Sequence, residues 1–354
     1  MSRLLAALAC CALLAAPSAP AAKIADPGKS RGKTSTAPAP SWAQAEIRYV
    51  VSRGLMAKTV AAFRPTDPLT QGELAALVAG LTSQAVRPAA VPSAPVTVAQ
   101  LDARLVRVLD LSDAAAAFTA GARGAGLTVP SRFGTESVVR LLGLRTNHPA
   151  KQDDLELLPN DPVTRAETAY SVARILRFAG WEKQYAEDAA RAFTLPKLGA
   201  WQKRVLNTAV RFIGYPYVWG GTSEKPEAPF GVKARGGFDC SGFVWRVYKL
   251  QSYPGGRSLP FTIRGRTTYQ MSGEVPASKR LSYPRLAPGD VVFFGPKGPT
   301  SKPSSIGHTG IYLGAGWMIH SSGQGVAIAP LTGWYRKQFA WARRPLAEAG
   351  LIAG

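Results

Sequence analysis

The stretch Phe238-Asp239-Cys240-Ser241-Gly242-Phe243-Val244-Trp245-Arg246-Val247-Tyr248 places a cysteine at a change of local grammar. Gly236-Gly237 precede it, and Phe243, Val244, Val247 and Leu250 follow at the spacing of a helix with one apolar face. Cys240 therefore opens a helix. Unpaired backbone N–H groups and the helix dipole stabilise negative charge at that end, so the spacing predicts a lowered thiol pKa. A thiolate is the nucleophile that acyl transfer uses. The local sequence equally permits a small buried hydrophobe, the common state of a free cysteine.

Working outward, the histidines separate these readings. The chain has three, His148, His308 and His320. The last two lie on two short strands that flank Gly314-Ala315-Gly316. With a three-residue turn, Leu313 pairs with Trp317, His308 faces Ser322, and His320 is its diagonal neighbour on the same face. A two-residue turn sends the two rings to opposite faces. The first register lets His308 act as general base to Cys240 while His320 holds the second imidazole nitrogen. Metal binding is the rival use, but a zinc site takes about three or four protein ligands, and one Cys with two His falls short. No metal and no cofactor are expected. His148, in a polar loop, reads as surface.

The N-terminus gives the compartment. Met1-Ser2-Arg3, the apolar run from Leu4 to Ala16, and Pro17-Ser18-Ala19-Pro20-Ala21-Ala22 have the pattern of a secretory signal cut near Ala19 to Ala22. The run is shorter than the roughly 20 residues of a bilayer span. Cys10-Cys11 after Leu8-Ala9 leave a lipoprotein signal as the alternative. With the signal removed, Cys240 is the sole thiol and has no internal disulfide partner. No other segment reads as a transmembrane helix.

The net charge is +21, and residues 196–354 hold 21 of the 43 Lys and Arg but only 6 of the 22 Asp and Glu. Such a field concentrates polyanions, unless the cations are plain solvated surface. No nucleic-acid-binding motif accompanies it, so nucleic acid is not an expected partner.

The 354 residues suggest about two or three domains. Residues 23–40, rich in Lys, Pro, Ser, Thr and Ala, read as a disordered spacer. From Ser41 the pattern is helical, through Trp42, Ile47, Val50, Val51 and Leu55, with Gly54 as a stop. Thr70 with Glu73 forms a capping box, and Thr164 with Glu167 repeats that spacing. This is an internal repeat of a helix-turn-helix unit, with a Pro/Ala linker at 86–95 and a degenerate middle unit. Leu195-Pro196-Lys197-Leu198-Gly199 marks a boundary. Beyond Tyr283, short runs such as Val291-Val292-Phe293-Phe294 alternate with glycine turns, so the second half is α+β.

Trp42 through Leu81, and a second match ending near Leu176 that holds Thr164-Arg165-Ala166-Glu167, resemble S-layer homology repeats. The first copy reads Thr70-Gln71-Gly72-Glu73, without the arginine. The resemblance implies an all-α domain that binds wall polysaccharide, such as an anionic secondary cell-wall polymer. A structural or partner-binding helical domain is the alternative.

Residues from about 200 to 346 resemble the NlpC-type cell-wall peptidases, a papain-like family. Tyr217-Val218-Trp219-Gly220-Gly221, Phe238 through Phe243, Leu286 through Phe294, Gly307-His308-Thr309-Gly310-Ile311-Tyr312, Met318-Ile319-His320 and Ala342-Arg343-Arg344-Pro345 carry it. The resemblance implies an α+β, papain-like fold and cleavage of peptidoglycan stem peptides. The usual bond joins D-γ-glutamate to a diamino acid, meso-diaminopimelate or lysine. It implies Cys240 as nucleophile, His308 as base and His320 as orienter, with Tyr217, Trp219, Asp239 and Ser241 at the substrate. Asp239 suits a cationic amine and Ser241 a carboxylate or amide, while a helix cap is the plainer role of Asp239. Leu259-Pro260-Phe261 lacks the arginine that often follows at once in the family, and Arg266 is the candidate replacement. The expected layout is a signal at 1–22, a linker at 23–40, a helical domain at 41–195, a peptidase domain at 196–346 and a tail at 347–354. The protein is expected to be secreted and wall-associated. An amidase at the stem-peptide base is the enzyme alternative, and a wall-binding structural protein the non-enzyme one.

Overall fold

The computed structural model describes residues 41–147 and 157–353. The signal, the spacer and His148 lie outside the described residues. Helices come first: α1 (Gln44–Ser52), α2 (Gln71–Thr82), α3 (Val98–Val108), α4 (Ser112–Gly124), α5 (Phe133–Leu141), α6 (Arg165–Leu176) and α7 (Trp181–Ala192).

Three of them start alike. The side chains of Thr70, Thr97 and Thr164 each accept the backbone N–H three residues on, from Glu73, Gln100 and Glu167. The residue before each threonine is fully buried: Leu69, Val96 and Val163. Their backbones close a ring. Leu69 N–H donates to Val163 O, Val163 N–H to Val96 O, and Val96 N–H to Leu69 O, each at 2.8 Å. The middle unit, expected to be degenerate behind a linker, keeps the turn Pro95-Val96-Thr97 and the capped helix α3 but has no helix between α2 and α3 to complete the pair. Gln100 takes the place of glutamate, because an amide oxygen accepts the Thr97 N–H as well as a carboxylate does (2.9 Å). Ile47, Leu77, Leu101, Leu105 and Val172 pack beneath this node.

The second half contains α8 (Ala200–Arg211), β1 (Thr222–Ser223), β2 (Gly237–Phe238), α9 (Cys240–Tyr248), α10 (Thr268–Gly273), β3 (Val291–Phe294), β4 (His308–Gly314), β5 (Trp317–Ser322), β6 (Gly325–Pro330), α11 (Gly333–Gln338), β7 (Phe339–Arg343) and α12 (Pro345–Glu348). The sheet order is β6-β5-β4-β3-β7, with every neighbouring pair antiparallel. Helix α9 lays Phe243, Val244 and Val247 on the sheet against β4 and β5. The expected α+β arrangement, helices with an antiparallel sheet after an all-α region, is what the chain adopts. Phe118, Phe133 and Phe193 join Phe243, Ile311 and Trp317 in one apolar core that continues across residue 196. Among the described residues no helix is long and apolar enough to cross a membrane.

Candidate active site

Cys240 is the first residue of α9, and Asp239 is its extended N-cap (φ −78°, ψ 174°). The Asp239 carboxylate accepts the Gly242 N–H at 2.5 Å, the Gly220 N–H at 2.9 Å and the Ser241 hydroxyl at 3.0 Å. Only glycine fits at 242, because a Cβ there would run into the Gly221 carbonyl.

Arg266 locks onto the same carboxylate. Its Nη1 and Nη2 reach the two Asp239 oxygens at 3.1 and 3.0 Å, Nη1 donates to Ser241 Oγ at 2.7 Å, and Nη2 donates to Gly220 O and Gly221 O at 3.1 and 3.2 Å. Asp239, open between cap and amine receptor in the sequence, is a cap and one half of an ion pair. Arg266, the candidate replacement for the missing arginine, lies just before α10, whose N-cap is Thr267.

The hairpin carries both histidines to one face, though not by the expected turn. Its tip has two residues, Ala315 and Gly316, both left-handed (φ 49° and 79°), as a type I′ turn requires. That turn alone would split the histidines. Leu313 is bulged out between the pairs Tyr312–Met318 and Gly314–Trp317, and the extra residue restores the register, with Ile311 opposite Ile319. His308 Nε2 then lies 2.8 Å from His320 Nδ1, with the rings edge to face at 86°. That contact uses Nε2 of His308 and leaves Nδ1 for proton exchange.

Strand β4 brings His308 beside the helix start. The N–H groups of Thr309 and Ser241 bond to the Cys240 sulfur. Cys240 is partly accessible. Even so, burial among its neighbours, reinforced by the Asp239 charge, pushes the thiol up to about 12. The lowered pKa expected from the helix dipole is therefore reversed, because desolvation outweighs the two N–H donors. Burial also pulls His308 down to about 4 and His320 well below the ordinary imidazole range, the latter helped by the His308 charge. Burial thus favours the neutral form of both the Cys240 thiol and the His308 imidazole.

Tyr217 is half-buried, and burial and then the Cys240 and Asp239 charges raise its hydroxyl. Trp219 is 60% exposed. Tyr335 was missed. From α11 its hydroxyl lies 3.5 Å from His320 Nε2, and its ring sits 6.0 Å from His308 and 5.2 Å from His320. The aromatic pair Trp334-Tyr335 within a polar segment was its only signal.

The model of the NlpC/P60 family matches residues 214–344, and that of the S-layer homology domain matches residues 37–75. The bifunctional muramidase/DL-endopeptidase CwlT of Bacillus subtilis is 36% identical over 132 residues, which cover 37% of this chain and 32% of that protein. A gamma-D-glutamyl-L-lysine dipeptidyl-peptidase of the same organism is 30% identical over 147 residues, 41% of each chain. The chain thus spans about a third to two fifths of the length of these curated relatives. A crystal structure of an NlpC/P60 family protein from Bacillus cereus shares 31% identity, covers 43% of this chain and 42% of that one, and has a TM-score of 0.32.

Proposed function

Because residues 214–344 form an NlpC/P60 cysteine peptidase family domain and residues 37–75 an S-layer homology domain, we propose that the protein is a secreted peptidoglycan endopeptidase. It cuts stem peptides between D-γ-glutamate and the diamino acid. The observation that carries the chemistry is Cys240 at the head of α9, beside a strand whose His308 is held by His320 at 2.8 Å.

Cys240 Sγ attacks the carbonyl carbon as its proton passes to His308 Nδ1. His308 returns that proton to the departing amine as the C–N bond breaks. Water, deprotonated by His308, then hydrolyses the thioester and regenerates the thiol. His320 accepts from His308 Nε2–H throughout and holds the ring through both transfers.

Arg266 supports internal cleavage over dipeptide release. An enzyme that releases dipeptides reads a free α-amine, and Asp239 is the carboxylate beside the nucleophile that suits one. Here the Arg266 guanidinium already neutralises it, at 3.0 and 3.1 Å.

The helical units hold an anionic wall polymer. A groove of about 620 Å³ between α2, α3 and α5 is lined by Arg87, Arg104, Arg107 and Arg132, with Gln71 and Gln100.

The test is digestion of purified wall by wild type and Cys240→Ala, with fragments identified by mass. New termini at the diamino acid are expected from wild type alone. Identical profiles would overturn the peptidase reading, and termini at the sugar-linked alanine would make the enzyme an amidase. Wall stripped of secondary polymer should lose binding of the Cys240→Ala protein.

A further inference from the structure

Arg140 of α5 is 1% exposed and far from Cys240 in sequence. Its guanidinium donates to Glu136 Oε2 at 2.9 Å, to Gly214 O at 2.8 Å and to Gln324 O. The Gly214 carbonyl precedes the segment that leads to Tyr217, and the Gln324 carbonyl follows the strand that carries His320.

Gly214 leads to Tyr217. Its N–H donates to Val326 O at 2.9 Å, and Val326 N–H donates to Tyr215 O at 2.8 Å. The segment is also tied to β2, through Phe238 N–H to Pro216 O at 3.1 Å and Val218 N–H to Phe238 O at 3.2 Å. Asp239 and Cys240 come next in the chain. Gln324 sits in the turn that closes β5, four residues beyond His320, and Ser321 Oγ donates to Phe238 O at 2.6 Å. One guanidinium from the helical region therefore clamps the nucleophile's wall segment to the orienter's strand.

The fit is built, not incidental. A Cβ at Gly214 (φ +88°) would press on the Glu136 carboxylate, and one at Gly325 (φ +74°) would meet Arg140 Nη1. Other residues of the helical region reinforce the clamp. Arg132 donates to Ile213 O and Arg211 O, both at 2.9 Å. Phe193 and Phe118 pack edge-on against Trp317 at the start of β5, with ring centroids 5.0 and 5.9 Å away.

We propose that Arg140 is a positioning residue of the peptidase site, so that the helical region is a working part of that site and not a tether alone. The proposal rests on the peptidase reading, and the test below separates the two. Arg140 touches no reacting atom and acts through the Gly214 and Gln324 carbonyls.

The test uses the full chain carrying Glu136→Leu with Arg140→Met. This removes the buried pair as a unit and leaves no lone buried charge, which would itself unfold the site. Two readouts are taken with circular dichroism and Tm as fold controls: alkylation of Cys240 by iodoacetamide, and kcat with KM on a stem peptide. The expected result is a folded protein whose alkylation rate and kcat both fall about 10- to 100-fold, with KM little changed. A folded double variant with wild-type alkylation and kcat would overturn the proposal. Should the double variant not fold, Arg140→Lys takes its place at a temperature where it is folded, since one ammonium cannot fork to both carbonyls. Wild-type rates there overturn the proposal equally. Because alkylation needs no substrate, a wild type that is alkylated but cleaves no stem peptide overturns the peptidase reading alone.

Discussion

His308 and His320 meet at 2.8 Å because Leu313 is bulged out of β4. The two-residue tip and the bulge are each one residue away from the simple hairpin, and together they cancel. Ala315 pays for the tight tip with a left-handed backbone (φ 49°). Replacing it with asparagine creates Asn-Gly, the preferred type I′ pair. Ala315→Asn should raise stability by about 0.5–1 kcal/mol at unchanged kcat, since a non-glycine left-handed residue costs about 1–2 kcal/mol. Urea unfolding beside a peptidase assay checks both. A lower midpoint would show that the tip is not strained.

The neutral thiol–imidazole pair sets the pH dependence. As the proposed base, His308 must be unprotonated to take the thiol proton, and burial holds it at about 4 against an ordinary 6.5. Activity (kcat/KM) should therefore hold from neutral pH down to about 5 and fall as pH passes through 4. Stability has a matching sign. Between 6.5 and 4 the unfolded chain binds the His308 proton and the folded one does not, so stability decreases as pH falls through that window. With the thiol at about 12, no thiolate absorbance should appear at neutral pH. A thiolate band titrating in mild acid would contradict this and restore the preformed ion pair.

Arg266 makes a prediction about choice of substrate. Removing it frees Asp239 and Ser241 to meet a cationic amine. Arg266→Ala should improve kcat/KM on peptides with a free N-terminal alanine, relative to peptides still joined to sugar, by about tenfold, the scale of one hydrogen bond to a charged group. Competition between the two substrates in one tube measures the ratio directly. An unchanged ratio would mean that the arginine is structural only.

Tyr335 offers a graded probe. At 3.5 Å its hydroxyl is a long hydrogen-bond partner for His320 Nε2, and its ring packs on both imidazoles. Tyr335→Phe keeps the packing and should lower kcat by about 2- to 10-fold, the worth of an ordinary hydrogen bond. Tyr335→Ala also removes the packing and should cost more. Equal kcat in Tyr335→Phe and wild type would assign the residue to packing alone.

Local chemistry made much of this legible. Cys240 announced itself through the glycines before it and the apolar helix face after it, and the hairpin strands through their short runs. Long-range effects stayed hidden. Burial, which reverses the expected thiol shift, is a property of the packed site and not of the helix start. The bulge at Leu313 has no composition of its own. Tyr335 comes from an element whose pattern is that of a polar turn. Arg140 looks like one more cation in a chain of net charge +21, and only the fold sets it against Gly214 and Gln324.

The middle helical unit was obscured in the same way, because Ala94 and Gln100 replace the acidic residues that advertise its sister copies. The ring of three 2.8 Å bonds through Leu69, Val96 and Val163 makes the three capped turns alike, so each cap should carry a similar share. Thr97 accepts from Gln100 N–H at 3.2 Å, as Thr164 does from Glu167 N–H at 3.2 Å. Thr97→Ala and Thr164→Ala should therefore each destabilise the chain by about 1 kcal/mol, the ordinary worth of a threonine cap. Hydrogen exchange at the amides of Leu69, Val96 and Val163 should speed up together in either variant, because each bond of the ring fixes the donor of the next. Exchange that rose only at Val96 in Thr97→Ala would show three separate turns in place of one cooperative node.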